Sequence, residues 1–577
     1  MKTHTNLKIF FLYLLIASIA TYPLILKLEE PLGVNPQDNL SFMWNFWWMK
    51  KVFTEGKNPL YTDALFYPTG INMAFTDMTF FNSIIGMVIG EATDYVTAFN
   101  LIAFLTCVFG AFTMYLLLVY LLKNRYAAFF GGYIYAFGPW HIYKINSSLI
   151  WASIEFVPLF LLFLFKTTEE PTKKNALLMG LFLALTFYTS IPFAFVMVLF
   201  SLIYTAWLLV TKKATKKLAA CLGLGALLFT ALVSPIVISM IIARGEYIAT
   251  TNPGQDLSMY SVRTSAHLIA TGVHTKTVIG VTTIILGLAG SLLLFKKKKG
   301  EAVLWLSSLL IFFVLNLGDQ GIKVGKQIYA ENLLMPAYFL RQLPLLNSFD
   351  FTKTVFVVVL ITSILAGYGC VPLVEFLRKN TDRKSFAAGI MLLFFIIAAD
   401  ITTAVVPSDK ELFSEKRNDA YKILAQRGTP DDVVMNLPIP WWVNKTAVIK
   451  PELISVRNMM GQTVFNKKIM SGYRSRISDG LIQRARLLYL TDPEKIKDTS
   501  RFVVIYKSYV FPTKSSNSAF SCDIPLDPKG KEFIDKVMVR FARAKIYEDH
   551  AFIIYDLAED EEEQRGQNDE QYEHKKT

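Results

Sequence analysis

Two acidic side chains in the first hundred residues could take part in proton transfer. Asp38 stands at the start of the stretch QDNLSFMWNFWWMKK, and Asp77 follows a Pro-x-Gly turn further along. A carboxylate held against a substrate hydroxyl can accept its proton while the oxygen attacks another atom. We therefore take Asp38 as a candidate general base and Asp77 as a candidate substrate-binding residue. The structural alternatives are a helix N-cap for Asp38 and an ordinary solvated loop acid for Asp77.

The stretch after Asp38 has the composition of a helix that lies in the plane of a membrane surface. Trp44, Trp47 and Trp48 carry amphipathic rings suited to the headgroup level, and a Lys-Lys pair follows them. This pattern predicts that Asp38 is held close to the bilayer surface.

The composition of the whole chain predicts that these residues belong to a membrane protein. The chain has 577 residues, of which 53% are hydrophobic, 14% aromatic and 18% charged, and its mean hydropathy is +0.38. Soluble proteins have charged residues near a quarter of the total and lack repeated apolar runs of about 20 residues. Soluble enzymes and disordered scaffolds are therefore excluded. We attribute the net charge of +13 to lysines and arginines that set the membrane topology, and not to a surface that binds nucleic acid.

Ten apolar segments are long enough to cross the roughly 30 Å of a bilayer's hydrocarbon, and a shorter run brings the predicted number of spans to about eleven. They lie near residues 7–26, 97–122, 126–140, 150–165, 175–191, 193–210, 218–243, 277–295, 301–317, 354–377 and 385–405. The segment at 126–140 is short, but counting it places the lysine-rich connections on one side, as the positive-inside tendency requires. The sequence thus predicts a multi-pass protein of the cell membrane with a cytoplasmic N-terminus and an extracytoplasmic C-terminal region.

The lengths of the outer loops and the C-terminal composition divide the chain further. Residues 1–405 form the predicted transmembrane domain, with a long first outer loop at 27–95. Beyond it the apolar runs shorten to strand length, at 432–437, 501–506 and 551–555, with helical spacing at 417–426 and 481–490. Residues 406–557 are therefore predicted to form an extracytoplasmic α/β domain. The acidic and polar stretch 558–577 is predicted to be a disordered tail.

Four short motifs give the chain a resemblance to a known family. They are Asp38 before W-x-x-W-W at 44–48, Pro68-Thr69-Gly70, the stretch QTVFNK at 462–467, and GYRSR at 472–476. With the order of spans and outer domains, these motifs resemble the GT-C superfamily of membrane glycosyltransferases, and in particular its prokaryotic, YfhO-related group. Phe465 departs from the pattern of that group, which has His at this position.

The resemblance implies an enzyme that moves a sugar from a polyprenyl-phosphate donor to an acceptor at the outer membrane face, with inversion. Asp38 would act as the general base, and the acceptor would be a lipid, a polysaccharide or a protein. The leaving phosphate needs cations from outer loops, since the inner-loop lysines lie on the wrong side. Its candidate partners are Arg263, His267, Arg341 and Lys353, with the two arginines preferred for their planar fork. The structural alternative for each of them is an ordinary interfacial or loop cation, and this alternative weighs most against His267.

No cofactor is expected, because the chain has no Walker-type loop and no dinucleotide-binding glycine motif. The resemblance also allows a divalent cation, because some relatives use one, but Asp38 and Asp77 alone do not form an evident ligand set. Two other functions stay open at this point. One is a transporter of lipid-linked glycans, although we detect no two-fold internal repeat. The other is a non-catalytic factor for assembly of cell-envelope polysaccharides.

Overall fold

The computed structural model describes most of the chain. The described residues are 2–30, 36–243, 279–318, 322–324, 327–330, 335–342, 349–401, 419–438, 452–472, 493–507 and 528–559. Arg263, His267, the predicted helix at 481–490 and residues 560–577 of the predicted tail lie outside these ranges.

The described residues are mostly helical. In chain order the helices are α1 (Lys2–Ala20), α2 (Pro36–Glu55), α3 (Phe80–Ala92), α4 (Tyr95–Leu122), α5 (Arg125–Phe137), α6 (Pro139–Ile145), α7 (Leu149–Ala152), α8 (Val157–Glu169), α9 (Lys173–Thr189), α10 (Ile191–Val210), α11 (Lys216–Ile242), α12 (Val281–Lys297), α13 (Lys299–Asn316), α14 (Pro336–Leu340), α15 (Val355–Asn380), α16 (Arg383–Ile401), α17 (Asp419–Gln426), α18 (Glu452–Phe465) and α19 (Pro528–Arg540).

The strands are short. They are β1 (Tyr61–Thr62), β2 (Ile71–Asn72), β3 (Ile322–Val324), β4 (Gln327–Ala330), β5 (Val433–Leu437), β6 (Lys468–Ile469), β7 (Phe502–Tyr506), β8 (Lys545–Glu548) and β9 (Phe552–Asp556). The chain divides into two compact units. The first unit is Met1–Asn35, Thr79–Ile238 and Thr251–Pro407, and the second is Pro36–Met78, Ser239–Thr250 and Ser408–Thr577.

The first unit contains the apolar helices of a membrane protein. Within the described residues, seven helical segments are long and apolar enough to cross a bilayer, and two of them join neighbouring helical elements: Tyr95–Leu122, Leu149–Glu169, Ile191–Val210, Lys216–Ile242, Lys299–Asn316, Phe351–Asn380 and Arg383–Ile401. Helices α1, α5, α9 and α12 stand at the four other positions where the sequence predicts spans. The long apolar runs therefore form helices, since only a helix satisfies all backbone polar groups of such a segment within itself.

Glycines allow two of these helices to approach closely. A Cβ added at Gly290 of α12 would stand 1.9 Å from the carbonyl oxygen of Leu365 in α15. A Cβ at Gly369 of α15 would stand 2.0 Å from the oxygen of Leu286 in α12. Small residues at such a crossing let the two backbones pack directly against each other, as is common between membrane helices.

We expect Gly290→Ala to destabilise the first unit by about 1–3 kcal/mol, the usual effect of overpacking. The added methyl group has no space at the crossing, so α12 and α15 must separate. The matched control is Gly223→Ala in α11, where an added Cβ meets nothing within 4 Å. Thermal unfolding of the detergent-solubilised proteins measures the difference. Equal unfolding temperatures for the two variants would contradict the tight crossing.

The second unit is built on a five-stranded sheet with the strand order β6-β5-β7-β9-β8. Strand β5 is parallel to β6 and β7, while β9 is antiparallel to β7 and β8. One face of the sheet packs into a hydrophobic core with α19, including Met435 and Val503 from the strands and Ile534 and Phe541 from the helical side. The predicted strands at 432–437, 501–506 and 551–555 each match an observed strand to within one residue at either end.

The second unit also includes part of the first predicted outer loop. The sequence placed the whole loop 27–95 with the transmembrane domain. In the structure, Pro36–Met78 belongs to the same compact unit as Ser408–Thr577, whereas residues 27–35 and 79–95 of the loop belong to the first unit. Helix α2, which carries Asp38, therefore packs with the C-terminal part of the chain.

Candidate functional site

Helix α2 positions the candidate base. It begins at Pro36, so Asp38 lies inside the first helical turn and is not the N-cap that the structural alternative predicted. Proline suits the first position of a helix because its missing N–H needs no partner there. A carboxylate in the first turn also interacts favourably with the helix dipole. The Asp38 side chain is half-buried.

The tryptophans that follow Asp38 are buried inside the protein. Every residue from 39 to 49 is buried, and Trp44 and Trp48 are 0% and 2% exposed. The Trp44 ring stacks on Trp48, with centroids 5.9 Å apart, and contacts Trp47 at 5.4 Å. A helix that lies in a membrane surface would leave its polar face in water. The prediction of an in-plane surface helix is therefore wrong for α2, because its rings fill a protein core.

A single amide side chain connects three separate segments of the second unit. Trp44 Nε1 donates a hydrogen bond to Gln462 Oε1 at 2.8 Å. Gln462 Nε2 donates to the carbonyl oxygens of Ala64 at 2.7 Å and of Lys467 at 2.8 Å. Gln462 is fully buried, so these bonds satisfy both of its polar atoms without water. The amide thereby joins α2, the 62–66 segment and the turn after α18.

The Pro-x-Gly motif forms a turn that packs on the same region. The backbone N–H groups of Thr69 and Gly70 both donate to the oxygen of Phe66. Gly70 has a φ of +69°, and an added Cβ would stand 2.2 Å from the Tyr61 hydroxyl. Only glycine fits this combination of a left-handed backbone and a close neighbour.

The segment before this turn extends the edge of the sheet. Phe66 N–H donates to the oxygen of Ser471, Tyr67 N–H to that of Ile469, and Ile469 N–H to that of Ala64. A Cβ at Gly472 would stand 2.7 Å from the Phe66 ring, so that glycine allows the contact. The four motifs quoted for the family resemblance thus meet in one unit, at least as far as Gly472, where the described part of the last motif ends.

Two lysines hold the same segments together by charge. Lys51 Nζ donates to Asn466 Oδ1 at 2.9 Å and stands 5.1 Å from the Trp47 ring centroid. Burial lowers the pKa of Lys51, and the neighbouring Glu55 carboxylate offsets part of that effect. Lys468 pairs with Asp63 at 2.8 Å. These contacts fix α2 and the first-loop segment against the end of α18.

Asp77 lies in the same unit as Asp38. Its backbone oxygen accepts a hydrogen bond from Asn45 Nδ2 at 3.3 Å, and its side chain is half-buried. Asn45 lies two helical turns after Asp38 on α2. Asp77 is therefore held beside the helix of the candidate base by its backbone.

The described candidate cations belong to the first unit. Arg341 follows α14 and is half-buried. Lys353 lies in a 3-10 turn, Phe351–Thr354, where it pairs with Asp350 at 3.5 Å. Its ammonium nitrogen also stands 5.4 Å from the centroid of the Trp151 ring. Arg263 and His267 are outside the described residues, so their positions stay predictions.

The segment between α5 and α8 contains residues that the sequence did not single out. Lys144 stands 6.0 Å from the same Trp151 ring centroid as Lys353. His141 is fully buried, with its ring nitrogens 2.6 Å from the Ala136 oxygen and 2.8 Å from the Ala152 oxygen. The available signal was a Lys and a Trp seven residues apart in a connection that also carries a His.

The residues that the structure describes do not form a metal site. Among them no three His, Cys, Asp or Glu side chains come together as a ligand set.

Comparison with known proteins identifies the fold. No family model matches the chain, and no curated protein matches it by sequence. The solved structure of the arabinofuranosyltransferase AftD from Mycobacteria aligns with 96% of this chain at a TM-score of 0.58 and 12% sequence identity. The aligned part is 40% of AftD, so the chain spans about two fifths of the length of that protein.

Two further solved structures are similar at lower scores. One is the oligosaccharyltransferase AglB from Archaeoglobus fulgidus, in complex with an inhibitory peptide and a dolichol-phosphate, with a TM-score of 0.43, 12% identity and coverage of 95% of this chain and 80% of that one. The other is ArnT from Cupriavidus metallidurans bound to undecaprenyl phosphate, with a TM-score of 0.45, 10% identity and coverage of 94% and 97%. The structural neighbours of this chain have the GT-C fold, which is the fold that the resemblance predicted. Membership of the YfhO-related group stays a prediction.

Proposed function

We propose that this protein is a membrane glycosyltransferase that moves a sugar from a polyprenyl-phosphate donor to a lipid, polysaccharide or protein acceptor at the outer face. The observation that carries the proposal is the packing and hydrogen bonding of the helix that contains Asp38. This chain has the fold of a membrane glycosyltransferase, and Asp38 stands at the start of its helix α2. Trp44 of the same helix donates a hydrogen bond to Gln462, which lies 418 positions after Trp44. A half-buried carboxylate on an immobilised helix is suited to general-base catalysis, since the base must be held in position.

The proposed reaction is a single displacement. The acceptor hydroxyl oxygen forms a bond to the anomeric carbon of the donor sugar, while the bond from that carbon to the phosphate oxygen breaks. The electron pair of the broken bond leaves on the phosphate, and the hydroxyl proton passes to the Asp38 carboxylate. Attack opposite the leaving group inverts the anomeric centre. Asp77, Arg263, His267, Arg341 and Lys353 are the proposed substrate-binding residues.

The topology required by this reaction is also a proposal. Eleven spans would place the N-terminus in the cytoplasm and residues 406–557 outside. Helices at all eleven predicted positions support this number. The connections after α4, α8, α10, α12 and α15 each carry two to four lysines or arginines in or beside them, which supports one cytoplasmic side. The donor, whose prenyl tail stays in lipid, would meet the acceptor at the opposite side.

The direct test uses purified protein in lipid nanodiscs with a panel of polyprenyl-phosphate sugars. We expect one donor to be consumed, with release of polyprenyl phosphate and formation of a glycosidic bond when a suitable acceptor is present. Movement of a labelled lipid-linked sugar across vesicles that contain only this protein, with no new bond formed, would contradict the proposal and support a transporter. Consumption of no donor in a panel that a known glycosyltransferase uses would also contradict it.

A further inference from the structure

A buried amide stands on the sheet face of the second unit that is turned away from α19. Val433, Met435 and Leu437 of β5 belong to the hydrophobic core on the α19 side. Because successive side chains of a strand point to opposite faces of its sheet, the side chain of Asn436 is on the other face. Asn436 is fully buried. A buried amide costs free energy unless its polar atoms are hydrogen-bonded.

A buried hydroxyl lies beside this amide on the neighbouring strand. Strands β5 and β6 are parallel, with Val434 paired to Ile469. The same register, continued by two residues, places Asn436 next to Ser471. Met470 belongs to the core on the α19 side, so the Ser471 side chain shares the other face with Asn436. Ser471 is also fully buried.

Helix α18 adds a second amide to the same place. Asn458 Nδ2 donates a hydrogen bond to Ser471 Oγ at 3.0 Å, and Asn458 is fully buried. Within the part of the chain that the structure describes, Asn458 Oδ1 has no hydrogen-bond partner, and neither Oδ1 nor Nδ2 of Asn436 has one. Exchanging the oxygen and nitrogen of the Asn458 amide does not remove the deficit, because Ser471 bonds one end of it and the other end stays unpaired.

The chemistry of the three unpaired atoms selects the ligand that could satisfy them. They are two amide oxygens, which accept hydrogen bonds, and one amide N–H group, which donates them. A metal cation would match the oxygens but not the N–H group, and the three residues of this cluster are uncharged. An anion would match only the N–H group. A water molecule both donates and accepts, and ordered water is the usual partner of buried polar atoms that have none in the protein.

We propose that Asn436, Asn458 and Ser471 form an internal binding site for ordered water between β5 and α18. One molecule accepts a hydrogen bond from Asn436 Nδ2 and donates one to Asn458 Oδ1, and a second molecule donates to Asn436 Oδ1. Asn458 lies one helical turn before Gln462, so the site holds α18 on the sheet next to the residue that bonds Trp44 of α2. The inference concerns the architecture of the second unit and does not depend on the reaction that the protein catalyses.

The direct test is a cryo-electron microscopy map of the full chain in lipid nanodiscs, at a resolution that shows ordered water. We expect density within about 2.7–3.2 Å of both Asn436 Nδ2 and Asn458 Oδ1, the distances of hydrogen bonds. A direct bond between the two amides, or no density between them, would overturn the proposal. Density at about 2.0–2.6 Å from the amide oxygens would also overturn it, because such distances indicate a cation.

An independent test compares the thermal unfolding of the full-length variants Asn436→Leu, Asn458→Leu and the double variant. Each single variant is expected to unfold on the order of 5 °C below the wild type, because it leaves the water and the opposite amide without a partner. The double variant should lose less than the sum of the two, since the first substitution already releases the shared water. The control is Thr463→Ala, whose hydroxyl bonds only to the Met460 oxygen within α18, and its unfolding temperature should stay close to that of the wild type.

Two results of the unfolding experiment would contradict a shared water. An unchanged or raised unfolding temperature for Asn436→Leu would do so, because replacing an amide that has no ligand with an apolar side chain does not lower stability. Additive losses in the double variant would do so as well. Asn458→Leu also breaks the bond to Ser471, but that loss is the same with either residue at position 436 and cancels in the comparison. If a leucine variant does not fold, the map of the wild-type chain decides.

Discussion

Asp38→Asn is expected to lower the rate of sugar transfer by about 10²–10⁴-fold, the range that general-base catalysis contributes. Asparagine has nearly the same shape as aspartate and keeps a polar group in the first turn of α2, but it cannot accept the hydroxyl proton. The fold should therefore persist while kcat falls. The measurement is transfer from the donor identified in the panel, at saturating donor and acceptor, with thermal unfolding in parallel.

A charge-matched control separates catalysis from stability. Asp419→Asn in α17 removes an exposed carboxylate of the same unit, which pairs with Lys422 on the same helix, and it should transfer sugar at the wild-type rate. Asp77→Asn should raise KM more than it lowers kcat, as expected for a substrate-binding residue. A wild-type rate for Asp38→Asn would remove Asp38 from the mechanism, although the fold and the membrane location would be unaffected.

Gln462→Leu is expected to destabilise the second unit by about 2–5 kcal/mol, because buried polar groups without partners each cost about 1–3 kcal/mol. The substitution removes the hydrogen bonds that Gln462 makes with Trp44 Nε1 and with the Lys467 carbonyl. The Ala64 carbonyl is less affected, since it also accepts from the Ile469 N–H. Thermal unfolding of the purified chain measures the loss. Transfer activity should fall as well, since α2 loses a hydrogen bond that fixes its position.

A double-mutant cycle tests whether this effect passes through α2. Trp44→Phe keeps an aromatic ring and removes the indole N–H, so the Trp44–Gln462 pair should show a coupling energy of about 1 kcal/mol. Thr463→Ala is the neighbouring control, because its hydroxyl bonds only within α18, to the Met460 oxygen. If Gln462→Leu were no more destabilising than Thr463→Ala, the amide would not be the connection we describe.

The local structure of the chain could be predicted well from its sequence. Long apolar runs predicted helices and short ones predicted strands, and both were found at the expected positions. The reason is that the hydrophobic periodicity of a segment indicates directly whether it can bury one face or all of its faces. The basic connections after α4 and α12 likewise followed from composition. The motifs that meet around Gln462 were also visible in the sequence, as separate short stretches.

The identity of each segment's partner could not be predicted. Trp44 suits a membrane surface and a protein core equally well, since its ring is apolar and its N–H needs one acceptor. Only the folded chain shows that this acceptor is Gln462, 418 positions later. In the same way, nothing in the sequence relates Lys144 to Lys353.

By itself, the sequence determined the type of each element, the membrane-spanning character of the first unit and the resemblance to the GT-C enzymes. The tertiary structure alone decided that α2 belongs to the same unit as the C-terminal sheet and that two distant lysines share one tryptophan. The physical reason is that the burial of a segment depends mainly on its own composition. The choice of packing partner depends on the fold of the whole chain. Contacts between residues hundreds of positions apart cannot be recognised from the local spacing of residue types.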